Sequence, residues 1–171
     1  YQSWNGLEDL EKLKNDRTFN SAGMYFDENG NMKFYDDETD NYWQNHFQLH
    51  WSEKWSEKWI SNAALHYTIG KGYFEQYRED EPLVDYFLPH FEGNTESDLV
   101  RKRWLDSDFF GTTFSLNYKT AKTDILLGGA ANRHLGKHFG EVVWTQYYVP
   151  NNNRYYNNFG NKDDVNVYVK A

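Results

Sequence analysis

The chain has 171 residues, no cysteine and a formal net charge of −8. Its length fits a single domain, and the absence of cysteine excludes disulfide and thiol chemistry. The acidic balance argues against a nucleic-acid partner, because phosphate binding needs clustered Lys and Arg side chains. Hydrophobic residues make up 39% and aromatic residues 19% of the chain, so aromatic side chains replace much of the aliphatic core that soluble domains contain.

The first 42 residues are predicted as a long loop that contains two short elements. Leu7, Leu10 and Leu13 have the spacing of a short amphipathic helix. Farther along, two apolar runs flank the segment 27–30, Asp-Glu-Asn-Gly, and Asn-Gly between such runs predicts a β-hairpin. The acidic residues here do not follow the EF-hand pattern, because Gly30 falls too early in a loop that starts at Asp27. We therefore predict a hairpin turn and no calcium site.

Two strands are predicted at 43–51 and 59–73, joined by a polar turn that begins at Ser52. Apolar and polar residues alternate along both segments, and a period of two is the strand signature. Aromatic residues also bracket the apolar face of each strand, which together with the alternation is typical of a lipid-facing barrel strand. The bracketing residues are Trp43 and Trp51 in the first strand and Trp59 and Tyr73 in the second.

The same alternation returns farther along the chain, between long polar segments. Short and long connections therefore alternate, as they do in outer-membrane barrels, whereas a soluble sandwich spaces its turns more evenly. The sequence predicts an all-β antiparallel meander, part of a transmembrane β-barrel, with long loops containing short helical turns. Further strands are predicted at 109–118, 123–132 and 164–170, and long loops at 74–108, with a helical turn at 97–105, and at 133–163.

Short motifs spread over most of the chain also favour a barrel. They are Gly23-Met24-Tyr25, Phe34-Tyr35-Asp36, Thr39-Asp40-Asn41-Tyr42, His46-Phe47-Gln48-Leu49-His50-Trp51, Ala64-Leu65-His66-Tyr67-Thr68, Gly70-Lys71-Gly72-Tyr73, Arg103-Trp104-Leu105-Asp106, Gly128-Gly129, Asn132-Arg133 and His138-Phe139-Gly140. In these motifs the chain resembles the barrel region of TonB-dependent outer-membrane receptors of Bacteroidetes. The resemblance implies that residues 1–171 form a single segment of such a barrel, from which the plug domain is absent.

The resemblance also implies a function and a location. Members of the family have barrels of about 22 strands closed by a plug, lie in the outer membrane of Gram-negative bacteria, and import scarce nutrients with energy from the inner-membrane TonB complex. We expect a small-molecule nutrient as the ligand, with an iron chelate or similar metal complex favoured and an oligosaccharide as the alternative. TonB would act through the missing plug region, and membrane lipid would surround the wall. An isolated segment exposes sheet edges and an apolar face, so we expect it to self-associate.

Three histidines on the predicted strands are candidate ligand contacts. His46 and His50 share one face of the first strand, but four residues of strand separate them by about 13 Å, which is too far for one metal ion. His66 lies on the inward face of the neighbouring strand. We expect these side chains to line a wet barrel wall, where they can meet a ligand, and we predict no metal site.

Aromatic residues of the predicted loops are the second group of candidates. Tyr35, Trp144 and Tyr147 can stack on a sugar or on a flat chelate. The competing interpretation is that large loops pack by their own side chains.

The sequence contains no Gly-x-Ser-x-Gly, no His-Glu-x-x-His and no phosphate-binding loop, so we predict no enzyme activity and no cofactor. Two alternatives to the receptor remain open. One is a soluble all-β carbohydrate-binding module, whose apolar face would be covered by a second sheet. The other is a secreted β-rich glycosidase domain, which needs two carboxylates facing one cleft.

Overall fold

Five long strands dominate the computed structural model, which describes residues 4–7, 9–148, 150 and 153–171. Consecutive strands are neighbours, in the order β3-β4-β5-β6-β7, and they form one antiparallel sheet with β3 and β7 at its ends. A separate two-stranded sheet precedes it, so the predicted all-β antiparallel meander is confirmed. The elements are α1 (Leu10–Asn15), β1 (Met24–Phe26), β2 (Met32–Phe34), β3 (Asp40–Lys54), β4 (Trp59–Pro82), a 3₁₀ helix (Leu83–Tyr86), β5 (Glu96–Lys119), β6 (Asp124–Thr145) and β7 (Arg154–Lys170).

The N-terminal region contains both predicted short elements. Asp9 begins α1 by accepting a hydrogen bond from the Glu11 backbone N–H. Leu10 and Leu13 are exposed, so the helix buries no apolar face among the described residues. Strands β1 and β2 pair antiparallel, and Gly30 in their turn adopts a positive φ of 77° that glycine tolerates without strain.

The strands extend much farther than the alternation predicted. The segments 74–108 and 133–163, predicted as long loops, are mostly strand, because β4 continues to Pro82, β5 begins at Glu96 and β6 continues to Thr145. The helical turn predicted at 97–105 is wrong, since these residues belong to β5. The turn between β3 and β4 also lies later than predicted, at 55–58.

The chain divides into two compact units, and every long strand contributes residues to both. Unit 1 comprises Tyr1–Tyr42, Gly72–Leu105 and His138–Asn158, and unit 2 comprises Trp43–Lys71, Asp106–Lys137 and Phe159–Ala171. Among the described residues, all buried hydrophobic side chains belong to unit 1. The main cluster of that core consists of Leu83, Tyr86, Leu88, Leu99 and Val142, with Tyr155 packed against it.

Most of the strand residues that were predicted as loops lie in unit 1. Different elements of this unit cover the two faces of these strand segments. On one face, Tyr77 of β4 contacts the rings of Tyr25 and Tyr35 from the N-terminal region. On the other face, Arg101 of β5 donates to Gln76 of β4 and to Tyr86 of the 3₁₀ helix. Since both faces meet protein, polar and apolar residues no longer alternate here, and the period of two is lost.

Among the residues that the structure describes, no helix is long and apolar enough to cross a membrane.

Gly111 of β5 occupies a position where no side chain fits. A Cβ atom there would overlap the Ala131 carbonyl oxygen and the Asn132 side chain of neighbouring β6. We expect Gly111→Ala to lower the free energy of unfolding by about 1–3 kcal/mol, because backbone atoms block the added methyl group. Gly160→Ala is the matched control in unit 2, since a Cβ there meets nothing within 4 Å. Denaturant titration of both variants tests this, and equal losses would contradict it.

Candidate functional site

One face of the unit 2 sheet is lined by apolar and aromatic side chains, and we call it the apolar face. Ring contacts across the strands establish which residues share it. The Phe47 and Tyr67 centroids lie 6.4 Å apart, those of Tyr67 and Phe110 6.3 Å, and those of Trp59 and Tyr118 4.7 Å. Strand alternation then assigns the remaining members.

The apolar face is exposed along its whole width. Leu49 on β3 is 65% exposed and Val165 on β7 is 75% exposed, and the intervening strands also present exposed members. None of the positions on this face from 43 to 51, 59 to 69 and 110 to 118 is charged. The exposed members are Trp43, Phe47, Leu49, Trp51, Trp59, Leu65, Tyr67, Phe110, Phe114, Ile125, Leu127, Val165, Val167 and Val169.

Charged side chains border the apolar face at one end. Lys71 of β4 lies 3.4 Å from Asp106 of β5, and Arg133 of β6 forms a two-pronged contact with Asp163 of β7. The Tyr67 hydroxyl also donates to Asp108 at 2.5 Å. On β4 and β6 an ion-paired side chain follows the uncharged part of the face within two residues, and on β5 within four.

The opposite face of the unit 2 sheet, the polar face, carries a ladder of amides and hydroxyls. Ser52 donates to Asn62 at 2.8 Å, and the Asn62 amide donates to Ser115 at 3.1 Å. These bonds join β3, β4 and β5 through side chains alone. The two faces of unit 2 thus differ in chemistry as the strand pattern predicted.

All three predicted histidines lie on the polar face, and each ring nitrogen contacts a different polar partner. His46 Nδ1 lies 2.9 Å from Thr68 Oγ1, His50 Nε2 lies 3.1 Å from Gln48 Oε1, and His66 Nε2 lies 2.9 Å from Asn132 Oδ1. The His66 ring also packs 4.9 Å from that of Phe109. The three rings thus have separate partners, and the described residues contain no group of three or more His, Asp or Glu able to hold a metal ion.

His50 also borders a cavity of about 580 Å³ in unit 2. Apart from His50, the polar residues of its lining are hydroxyl and amide side chains, which can exchange hydrogen bonds with a polar solute. His46 and His66 do not line this cavity. Its polar lining consists of His50, Ser52, Asn62, Thr113, Ser115, Asn166 and Tyr168.

Tyr35 lies in unit 1 and is engaged with strand residues. Its hydroxyl donates to Glu75 at 2.7 Å, and the same carboxylate lies 3.2 Å from the Lys102 ammonium. Its ring stacks on Tyr77 at 5.9 Å. Burial, followed by the hydrogen bond to Glu75, raises the pKa of the Tyr35 hydroxyl well above its usual range. Tyr35 thus connects the segment after β2 to β4.

The other two predicted aromatic residues also lie in unit 1. Tyr147 stacks on Phe91 with centroids 5.0 Å apart and an interplanar angle of 17°, so two loop rings pack together. Trp144 lies at the end of β6 and is 45% exposed. The six predicted residues are therefore divided, with the histidines in unit 2 and the aromatic residues in unit 1.

Two polar networks of unit 1 were not predicted from the sequence. In the first, Arg101 donates to Tyr86 at 2.7 Å, and Tyr86 donates to Glu81 at 2.6 Å. In the second, Glu141 accepts from Trp104 at 3.0 Å and from Arg154 at 3.0 Å. The only sequence feature that indicates these two networks is the high density of charged residues in the segments predicted as loops. Charge alone does not identify which residues pair, because the partners lie 5 to 37 positions apart.

Glu38 is a buried carboxylate of unit 1, only 5% exposed. Burial raises its pKa, although the backbone N–H groups of Gly23 and Tyr77 and the nearby Arg78 and Arg101 act in the opposite direction. A carboxylate whose pKa is raised by folding contributes stability at low pH, and this contribution is lost as the pH rises through the folded pKa.

We expect Glu38→Gln to remove that pH dependence, because glutamine stays neutral and keeps a side-chain oxygen that accepts hydrogen bonds. The free energy of unfolding of the variant should increase relative to the wild type as the pH is raised from 4 to 7. Denaturant titrations at both pH values measure this. Glu28→Gln, at an exposed carboxylate of the same unit, controls for the loss of one charge. A difference that shrinks with rising pH would refute the assignment.

A comparison with protein-family models, curated proteins and solved structures finds no match for this chain.

Proposed function

We propose that this chain is a wall segment of a TonB-dependent outer-membrane receptor and that the apolar face of unit 2 contacts lipid. The observation that carries the proposal is this exposed, uncharged face in a unit without a buried hydrophobic side chain among its described residues. A sheet of this kind has no apolar core of its own, so its apolar face needs an apolar environment.

On β3, β4 and β5 the dimensions of the apolar face agree with a bilayer. A transmembrane β-strand needs about 9–11 residues when it is tilted. The uncharged stretches run over 43–51 on β3, 59–69 on β4 and 110–118 on β5, which are 9, 11 and 9 residues. Aromatic side chains stand at both ends of the β3 stretch, as they do in the girdles of outer-membrane barrels.

The polar face of unit 2 then supplies contacts for a small-molecule nutrient. The hydroxyl and amide ladder suits a wet passage, since each group can exchange a hydrogen bond with water or with a solute. For the cargo we favour an iron chelate or similar metal complex over an oligosaccharide, on the family resemblance. The inner-membrane TonB complex would supply energy through the plug region, which is outside this sequence.

The main alternative is a soluble carbohydrate-binding module, and the two proposals differ in what covers the apolar face. In a soluble module a second sheet buries this face. Among the described residues the face is exposed, and the small β1–β2 sheet belongs to unit 1. This exposure supports the receptor over the module. Self-association of the isolated chain through the apolar face and the ends of the sheet stays a prediction, measured by sedimentation without detergent.

Fluorescence quenching in vesicles tests the proposal. The full chain is reconstituted into phosphatidylcholine vesicles whose acyl chains carry bromine, which quenches tryptophan by contact. We expect strong quenching that falls when Trp43 and Trp51 of the apolar face are both changed to Phe. The matched control changes Trp4 and Trp144 of unit 1 to Phe and should leave the fraction quenched by lipid undiminished.

The result that would refute a lipid-facing wall is equally specific. It is quenching by water-soluble iodide instead of brominated lipid, with Trp43 and Trp51 accounting for most of the iodide effect. A protein that remains monomeric in detergent-free buffer would point the same way, because a solvent-exposed apolar face of this extent drives association.

A further inference from the structure

The β1–β2 hairpin of unit 1 has two sides, and one of them packs on a long strand. On this side the ring centroids of Tyr25 and Tyr77 of β4 lie 4.9 Å apart. Strand alternation and the pairing of β1 with β2 place four apolar side chains together on the other side. We call these four the hairpin face: Met24, Phe26, Met32 and Phe34.

The hairpin face is open among the described residues. Phe26 is 55% exposed and Met32 is 50% exposed, and Phe34 is exposed as well. In the pairing of the strands, each methionine lies opposite a phenylalanine, and methionine side chains adapt readily to a partner's surface. The protein covers one side of this short hairpin with its own strands and leaves a contiguous apolar patch on the other, which is typical of a docking surface.

Carboxylates without a cationic partner border the hairpin face at both ends. Glu28 lies in the turn between the strands, and Asp36 and Asp37 follow β2. All three are exposed, and none of them forms an ion pair within the described part of the chain. The only Lys or Arg of the hairpin is Lys33, which lies on the opposite side and 3.9 Å from Asp27. The apolar patch is therefore set in a negative border.

We propose that the hairpin face docks a cationic amphipathic helix of a protein partner. The apolar side of the helix covers Phe26 and Met32, and its Lys or Arg side chains pair with Glu28 at one end and with Asp36 and Asp37 at the other. Strands of three residues are about 10 Å long, which matches about two helical turns with apolar residues at i, i+3 and i+4. This docking does not depend on what the apolar face of unit 2 contacts.

The charged border decides between the possible occupants of the hairpin face. An anionic membrane surface or an acidic protein would meet carboxylates of like charge. A second copy of the chain would bring its own Glu28, Asp36 and Asp37 to the same contact, so it would also add repulsion. A cationic helix buries the apolar patch and pairs with the border at the same time.

Hydrogen exchange of the full chain, followed by mass spectrometry, tests the docking. The probe is a synthetic helical peptide of about 15 residues, with Leu on one side and Lys on the other. Titration with this peptide should slow exchange in the segment 24–37, and added salt should weaken the effect because the charges are exposed. A matched peptide with Glu in place of Lys should give little protection there. The segment-by-segment measurement separates this binding from any binding of Leu side chains to unit 2.

Two substitutions at the centre of the hairpin face should weaken the binding of the Lys peptide. In Phe26→Ala/Met32→Ala, the dissociation constant read from the protection of 24–37 should rise roughly tenfold or more, because the buried apolar area is lost. Phe87→Ala is the matched control, since Phe87 is an exposed phenylalanine of the same unit outside the hairpin. It should leave the dissociation constant unchanged.

A charge reversal keeps the apolar patch intact and so tests the border separately. Asp36→Lys/Asp37→Lys should weaken binding of the Lys peptide and strengthen binding of the Glu peptide. Equal protection by the two peptides in the wild type, protection confined to unit 2, or an equal effect of Phe87→Ala and the hairpin pair would overturn the docking surface. Slow exchange at 24–37 that depends on the concentration of the chain alone would also overturn it, because a second copy would then cover the face.

Discussion

Phe47→Arg is expected to prevent stable insertion of the chain into bilayers, whereas Gln48→Arg is expected to leave insertion nearly unchanged. The two residues are adjacent on β3 and both are exposed, but they lie on opposite faces of the sheet. On the lipid side of a barrel, arginine near the middle of the bilayer costs about 2–4 kcal/mol. That corresponds to a loss of roughly 30- to 1,000-fold in partitioning.

Partitioning can be measured by flotation of the chain with phosphatidylcholine vesicles after refolding from denaturant. Both variants add the same charge and the same side chain, so any difference between them reports the face and not the charge. Equal flotation of the two variants would remove the basis for a lipid-facing surface. Loss for Gln48→Arg alone would place lipid on the polar side and reverse the assignment of the faces.

The strands of unit 2 could be predicted because their two faces meet different environments. Trp43, Phe47 and Leu49 alternate with Gln44, His46 and Gln48, and each set lies on its own face. Such a pattern survives in the sequence whenever one side of a sheet is apolar and the other polar. The hairpin of β1 and β2 was predictable for a different reason, since Asn29-Gly30 specifies a turn locally.

The strands of unit 1 carry no comparable pattern. Glu75, Gln76 and Tyr77 are consecutive polar or aromatic residues that meet three different partners, and Leu99 and Val100 are both buried although they point to opposite sides. When both faces of a strand contact other parts of the protein, each residue type depends on the particular side chain that it contacts. Partners from elements far apart in the chain are not encoded in a local period, so these strands resemble a loop in sequence.

The candidate site was predictable to a similar, partial extent. The alternation placed His46, His50 and His66 on one polar face of the sheet, where the structure has them. It did not identify Asn132 as the partner of His66, because the two residues lie on β4 and β6, on either side of Phe109 in β5. Likewise, the pairing of Asp106 with Lys71 depends on strand register, which a single sequence does not provide.

Leu99→Ala is expected to cause a large loss of stability in unit 1. Leu99 is fully buried, and it belongs to the cluster formed with Leu83, Tyr86, Leu88 and Val142. Truncating a buried leucine costs about 2–5 kcal/mol, from lost burial and from the cavity left behind. The matched control is Val84→Ala in the adjoining 3₁₀ helix, where the side chain is 65% exposed and the expected change is within about 0.5 kcal/mol.

This comparison also tests the revised assignment of 96–105 as strand. Had these residues formed a loop, Leu99→Ala would cost no more than Val84→Ala, because loop side chains of this kind are largely solvated. Hydrogen exchange followed by mass spectrometry resolves the difference by segment. In Leu99→Ala, faster exchange is expected in the peptides that contain β5 residues 96–105 and β6 residues 138–145, which pack in the same unit. Exchange in the unit 2 segments of β3 and β4 should change much less, since their stability does not draw on this cluster.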